Sequence, residues 1–236
     1  NYWMLSSLQA GLLLHDVHAH YAHTLPTPTV CALLTLSQQF SCGIILSASH
    51  NQYQDNGIKI VDRITGKLSE RDEHAITAYF YERPFYTYNS FGTVSYFDQG
   101  QILYNNHIRQ FFPADFLKGK KIILDCAHGA TYQIAPHLFT LLGAHVTAIN
   151  TEPNGTNIND QCGALHTKAL AQQVMETGAD IGFAFDGDGD RVIAVNRHGI
   201  IKNGDDMLAL LSNHPAYEKQ TTIVGTIMSN HGLELF

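Results

Sequence analysis

Helix-like and strand-like apolar stretches alternate along the whole 236-residue chain. No other feature restricts the fold as much. Such an alternation buries sheets under helices, so the expected class is α/β, with mixed sheets covered by helices on both faces. Strands are expected at Ile44-Leu46, Ile58-Val61, Lys121-Asp125, His145-Ile149, Asp180-Phe185, Val192-Asn196 and Thr222-Thr226. Helices are expected at Tyr2-Leu14, Thr29-Gln39, Glu70-Tyr81, Gln101-Phe112, Tyr132-Leu142, Thr167-Thr177 and Asp205-Ser212, the second opening just behind Pro28. The connections are short and rich in Gly, Asn and Asp.

The weakest pattern, Arg83-Gly100, marks the approach to a boundary near Gln101. The expected organisation is a first unit over residues 1–100, a second over 101–203 and the start of a third over 204–236. That last stretch reads helix, strand, then the opening of a helix after Ser229-Asn230, too little to bury a core of its own. The chain opens on Asn1 rather than methionine, and Tyr2-Leu14 already reads as a helix from mid-domain, so the chain is expected to begin inside a fold.

Composition matters chiefly for what it excludes. A net charge of −7 gives no general attraction for nucleic acid or an anionic membrane, so a phosphate ligand must rely on a few local Arg and Lys residues. No apolar run approaches the ~20 residues of a membrane span and no secretory signal opens the chain, so a cytoplasmic location is expected. Cys31, Cys42, Cys126 and Cys162 make no CxxC pair and read as free thiols in a reducing compartment. Among the 14 histidines, His15, His18, His20 and His23 cluster, and His18 and His20 would share a strand face. Asp16 is the only acid near them, so they read as a surface segment rather than a metal site.

Two loops carry the chemistry, each directly after a strand-like run. Ser47-Ala48-Ser49-His50-Asn51 offers a hydroxyl nucleophile beside an imidazole, and Asp186-Gly187-Asp188-Gly189-Asp190-Arg191 offers three carboxylates at alternate positions with an arginine behind. In a straight strand, residues two apart stand roughly 6.6 Å from each other on one face, too far to share an ion whose oxygens lie at about 2.0–2.1 Å. Gly187 and Gly189 let the backbone curl so that the three carboxylates converge. Unpaired, they would repel one another, and a hard divalent cation relieves this. An EF-hand starting at Asp186 is ruled out, because its sixth and twelfth positions hold Arg191 and Arg197 instead of Gly and Glu. An aspartyl-phosphatase reading, with Asp186 as nucleophile and Asp188 as acid, stays open but leaves the Ser49 segment unexplained.

A serine hydroxyl needs a base or a metal to become a good nucleophile. The turn Asp55-Asn56-Gly57 returns the chain through Ile58-Lys59-Ile60, which can fold Lys59 back toward Ser49 as a phosphate-binding cation or acid/base group; a solvated outer-face lysine fits the spacing equally well. Arg191 adjoins the acidic loop and can bind the same phosphate in bidentate fashion. Ser49 and Asp186 both sit at strand carboxyl ends, where ligands of open α/β sheets collect, which suggests a cleft between two units. Asp125-Cys126-Ala127-His128-Gly129-Ala130-Thr131 also follows a strand, and either anion binding or plain packing accounts for it.

On these residues the chain resembles the α-D-phosphohexomutases, most closely the bacterial phosphoglucosamine mutases. The likeness runs through Pro26-Thr27-Pro28, GIILSASHNQYQDNGIKI, DCAHGATYQIAP, EPNGTNIND followed by CGA, AFDGDGDRVIAV and GTIMSNHGLEL. The resemblance implies repeated α/β domains. It also implies a phosphoserine enzyme interconverting glucosamine 6-phosphate and glucosamine 1-phosphate through a bisphosphorylated sugar. By the same resemblance Ser49 carries the phosphate and Lys59 and Arg191 serve it; His50, the imidazole beside the serine, is a further candidate catalytic residue. Mg²⁺ is the implied cofactor, held by Asp186, Asp188, Asp190 and a phosphoserine oxygen at Ser49. Two residues depart from the family pattern: Gln52 stands where proline is usual, and His128 where asparagine is usual. The expected partner is a phosphosugar, without nucleic acid or membrane, and a homo-oligomer stays open. The alternatives are a relative acting on glucose or mannose phosphates, or a catalytically inactive truncated product.

Overall fold

In a computed structural model, residues 2–64, 66–82, 90–217 and 222–234 are described. In chain order they form α1 (Tyr2–Leu14), β1 (Ala19–Tyr21), α2 (Thr27–Leu36), β2 (Cys42–Ser47), β3 (Gly57–Asp62), β4 (Gly66–Lys67), α3 (Glu70–Glu82), β5 (Val94–Tyr96) and α4 (Gly100–Arg109). Then come β6 (Lys121–Asp125), α5 (Ile134–Leu141), β7 (His145–Ile149), α6 (Lys168–Thr177), β8 (Ile181–Phe185), β9 (Val192–Asn196), β10 (Ile201–Lys202), α7 (Gly204–Ser212) and α8 (His231–Glu234).

The largest sheet has five strands in the order β10-β9-β8-β6-β7. It is mixed, with β6 parallel to both β7 and β8 while β9 runs antiparallel to β8. The run Ile122-Ile123-Leu124 shows why helices must cover both faces. Ile123 packs with Leu170 and Val174 of α6, whereas Ile122 and Leu124 pack on the other face with Ala135 of α5. Successive side chains of a strand point to opposite faces, so a continuous apolar run is stable only when both are buried. Each fully buried Leu or Val contributes about 1.5–3 kcal/mol relative to exposure.

The amino-terminal half holds two smaller sheets. β2-β3-β4 is antiparallel and packs Ile45 and Val61 under Leu34 of α2. β1 and β5 pair in parallel, tied at the sides by His18 to Thr93 and His20 to Ser95. With His23 against Asp98, these histidines are spent on side-chain hydrogen bonds at an exposed edge, as a surface segment should be.

Several expectations differ from this picture. Thr222-Thr226 forms no strand, because it has no neighbouring strand among the described residues, and Val224 lies 86% exposed. The helix expected over Tyr2-Leu14 forms with those bounds, and none of its residues is fully buried. The strands β1, β4, β5 and β10 are only two or three residues long, below the length at which alternation can be read. Part of the weakly patterned Arg83-Gly100 stretch, residues 83–89, lies outside the described residues.

Candidate functional site

The acidic loop joins β8 to antiparallel β9, so six residues must reverse the chain. Asp186 N–H donates to the Arg191 carbonyl (3.3 Å), and Gly189 N–H donates to the Asp186 carbonyl (3.1 Å). Gly189 takes the left-handed conformation the turn requires (φ +70°). Gly187 serves a different purpose: a Cβ there would stand 2.6 Å from the Ser49 carbonyl oxygen and 2.7 Å from Asn159 Nδ2. Glycine thus lets the acidic loop lie against the serine loop, which the curl argument alone does not anticipate.

The three carboxylates do converge, with one oxygen from each of Asp186, Asp188 and Asp190 within 4.8 Å of the others. Asp186 and Asp188 are almost wholly buried. Each has one oxygen engaged by the protein and one left over. Asp186 Oδ1 accepts from Arg191 N–H (3.0 Å), and Asp188 Oδ2 accepts from Lys59 Nζ (2.6 Å) and Thr27 Oγ1 (2.5 Å). Asp186 Oδ2 and Asp188 Oδ1 are buried without a hydrogen-bond partner. A buried carboxylate oxygen without a partner is costly. Two of them on residues of one acidic cluster fit a hard cation with oxygen ligands such as Mg²⁺ or Mn²⁺.

The electrostatics agree with that fit. Burial pushes the Asp186 carboxyl up to about 6, helped by the charges of Asp190 and Asp188 and opposed by the Arg191 N–H. Burial also acts on Asp188, but hydrogen bonds from Lys59 and Thr27 outweigh it and hold its carboxyl below the ordinary range. Asp188 is therefore a poor proton donor, which weighs against the aspartyl-phosphatase reading. Desolvation would lower Lys59, yet its hydrogen bond to Asp188 and the charges of Asp188 and Asp190 raise it, so it stays an ammonium.

Lys59 extends from β3, opposite Ile45 of β2, and lies 3.5 Å from Asp190 as well as 2.6 Å from Asp188. It faces the acidic loop rather than standing solvated on an outer face. Ser49 follows β2 in a left-handed conformation (φ 55°), with its N–H donating to Ser47 Oγ (2.8 Å). Its Oγ is 3.4 Å from His50 Nδ1, the upper limit of a hydrogen bond. Arg191 is half-exposed, with Nε 3.9 Å from Asp190 Oδ1. Thr27 and Asn159 have no individual role in the sequence reading. Thr27 braces Asp188 and also donates its N–H to the Asp188 carbonyl (2.8 Å), while Asn159 reaches the serine loop. Both lie inside quoted motifs, but their partners are 161 and 110 residues away, a relation no local pattern encodes.

The turn after β6 is packing. Ala127, His128, Gly129 and Ala130 donate their N–H groups to Asp125 Oδ1 and to the carbonyls of Asn150, Cys126 and Gly187. His128, in place of asparagine, takes a left-handed φ of 47°, a conformation histidine adopts more readily than most residues. Gln52, in place of proline, sits at φ −72°, ψ 165°, inside the range a proline ring enforces.

Family models of phosphoglucomutase/phosphomannomutase alpha/beta/alpha domain I and domain II match residues 2–87 and 103–199. Phosphoglucosamine mutases of Cellvibrio japonicus and Coxiella burnetii are 43% and 42% identical to this chain, over 99% of it and 53% of their own length. The chain therefore spans about half the length of the curated relatives it matches. A crystal structure of a phosphoglucomutase/phosphomannomutase family protein from Burkholderia thailandensis superimposes with a TM-score of 0.74 at 25% identity, covering 88% of this chain and 46% of that one. Parafusin, a phosphoglucomutase from Paramecium, shares the fold with a TM-score of 0.66 at 20% identity over 86% of this chain and 45% of its own.

Proposed function

The chain belongs to the phosphoglucomutase/phosphomannomutase family, and from that premise we propose that Ser49 carries a phosphoryl group exchanged with a hexosamine phosphate. The reaction is the interconversion of glucosamine 6-phosphate and glucosamine 1-phosphate through a bisphosphorylated sugar, a step toward amino-sugar cell-wall precursors. The sugar follows the names of the relatives, each a phosphoglucosamine mutase. Residues 1–100 form the serine-bearing domain, residues 101–203 the acidic-loop domain and 204–236 the start of a third.

One observation carries the reading: two buried, unpartnered carboxylate oxygens lie in a loop whose Gly187 abuts the Ser49 carbonyl. Asp186, Asp188, Asp190 and a phosphoserine oxygen at Ser49 would hold Mg²⁺. When bound, that ion supplies charge neutralisation for the phosphoryl group. The chain's own residues do the rest. Lys59, kept protonated by Asp188 and Asp190, stands as a cation beside the cluster, and Arg191 lies at its exposed rim as a second cation able to donate hydrogen bonds to a phosphate. His50 can exchange a proton with Ser49 Oγ once the two draw closer than 3.4 Å. Positioning and charge stabilisation account for most catalysis of phosphoryl transfer.

The test is transfer of labelled phosphate from glucosamine 1,6-bisphosphate, with the label located by mass spectrometry. Label is expected on Ser49 in the presence of Mg²⁺ and none in Ser49→Ala. Label on Asp186, or undiminished label in Ser49→Ala, would overturn the assignment. Preferred transfer from glucose or mannose bisphosphate would move the chain to the other branch of the family.

A further inference from the structure

The EPNGTNIND stretch has no part in the chemistry above, yet its Asn159 makes the longest-range polar contact to the serine loop. Asn159 Nδ2 donates to the carbonyl oxygens of Ser49 (2.9 Å) and Asn51 (2.8 Å). Only an NH₂ group can face two carbonyls, so the orientation of this carboxamide is chemically forced. The two acceptors bracket His50, and one side chain thereby fixes the Ser49–His50 and Asn51–Gln52 peptide planes. Ser49 needs such support, since a non-glycine residue at φ 55° costs on the order of 1–3 kcal/mol and persists only when its surroundings over-determine it.

Asn159 is itself firmly anchored. It is 7% exposed, and its N–H donates to the Ala127 carbonyl (3.0 Å) in the second unit. It holds a left-handed backbone conformation of its own, with φ 58°. A Cβ on Gly187 would touch both Asn159 Nδ2 and the Ser49 carbonyl, so serine loop, acidic loop and Asn159 meet at one point.

We propose that Asn159 is a positioning residue that clamps the Ser49 loop at the height and angle where a phosphate on Ser49 reaches the Asp186-Asp188-Asp190 cluster. The proposal rests on the phosphoserine reading above. The clamp acts through the backbone of residues 49–51 and touches no reacting atom.

Asn159→Gly is the informative variant, because glycine keeps the left-handed backbone and the N–H while deleting only the carboxamide. Asn159→Asp keeps the shape but turns an acceptor toward two carbonyls, a second route to the same loss. Two readouts apply to the 236-residue chain. The first is amide hydrogen exchange at Ser49 and Asn51 without metal or phosphate, expected to quicken about tenfold in both variants, equivalent to one or two net hydrogen bonds. The second is Mg²⁺ affinity by calorimetry, with position 49 as serine and as genetically encoded phosphoserine. In the parent chain phosphoserine should tighten Mg²⁺ binding. In Asn159→Gly that gain should shrink about tenfold while affinity of the serine form stays within about twofold, which a merely structural role would not produce. Unchanged exchange, or an undiminished phosphoserine gain in both variants, overturns the clamp. An equal loss of affinity with serine and phosphoserine also overturns it, by making Asn159 a support of the acidic loop. Absence of any gain in the parent chain would sink the phosphoserine reading instead, and the exchange result would still decide whether Asn159 holds the loop.

Discussion

Gly187→Ala tests the junction of the two loops with one carbon atom. The added Cβ would lie 2.6 Å from the Ser49 carbonyl oxygen, 2.7 Å from Asn159 Nδ2 and 2.8 Å from Ile158 Cδ1. Two of these atoms are joined by a hydrogen bond, so neither moves without weakening it. Overpacking of this kind costs about 1–3 kcal/mol, and loss of one net hydrogen bond adds roughly 0.5–1.5 kcal/mol. The expected destabilisation is about 2–4 kcal/mol, a fall in melting temperature of roughly 5–15 °C for a domain of this size. Urea unfolding followed by near-ultraviolet circular dichroism gives the free energy, and calorimetry with Mg²⁺ reports on the acidic loop. Gly11→Ala is the control: it lies in α1 with nothing within 4 Å of the added carbon, so helix propensity should stabilise the chain by about 0.5–1 kcal/mol. The same chemical change should thus have opposite signs at the two positions. A Gly187→Ala chain as stable as the parent, with unaltered Mg²⁺ affinity, would refute the close approach of the loops.

The remaining predictions concern charge, thiols and the serine loop. Asp186 has a folded pKa of about 6 against roughly 3.9 unfolded, so its contribution is fully present below pH ~4 and lost as pH rises through 6. Mg²⁺ should therefore raise the melting temperature more at pH 7 than at pH 5, and equal increments would contradict the assignment. Burial pushes the Cys126 and Cys162 thiols up to about 12, so iodoacetamide at pH 8 should label exposed Cys42 first and those two only on unfolding, as read by peptide mass spectrometry. Gln52→Pro should stabilise the chain by about 0.4–1 kcal/mol in urea melts, since the backbone already sits at φ −72°, whereas a loss of stability would show that the loop needs glutamine.

The sequence made some levels of this structure legible and hid others for physical reasons. β6, β7 and β9 have the bounds their sequence runs imply: β6, buried on both faces, is apolar through Ile122-Ile123-Leu124, whereas edge strand β7 alternates exposed His145 and Thr147 with half-buried Val146 and Ala148. β5 left no trace and β1 no more than the shared face of His18 and His20, since three residues cannot display a period and the pairing joins segments 75 residues apart. The site divides in the same way. The acidic loop stood out because three carboxylates alternate with glycines directly after a strand, and the serine drew notice through its neighbours His50 and Asn51. What remained hidden is how the loops are held together. Thr27 and Lys59 both spend themselves on Asp188 Oδ2, leaving Oδ1 buried without a partner, and Asn159 spends its amide on the carbonyls of Ser49 and Asn51. Each is an ordinary polar residue by local pattern, a threonine between prolines, a strand lysine and a turn asparagine. Their significance lies in which oxygen of a distant residue they occupy. A motif can therefore announce the chemistry of each half of such a site, while the geometry that makes the halves one site is written in donors that no motif distinguishes.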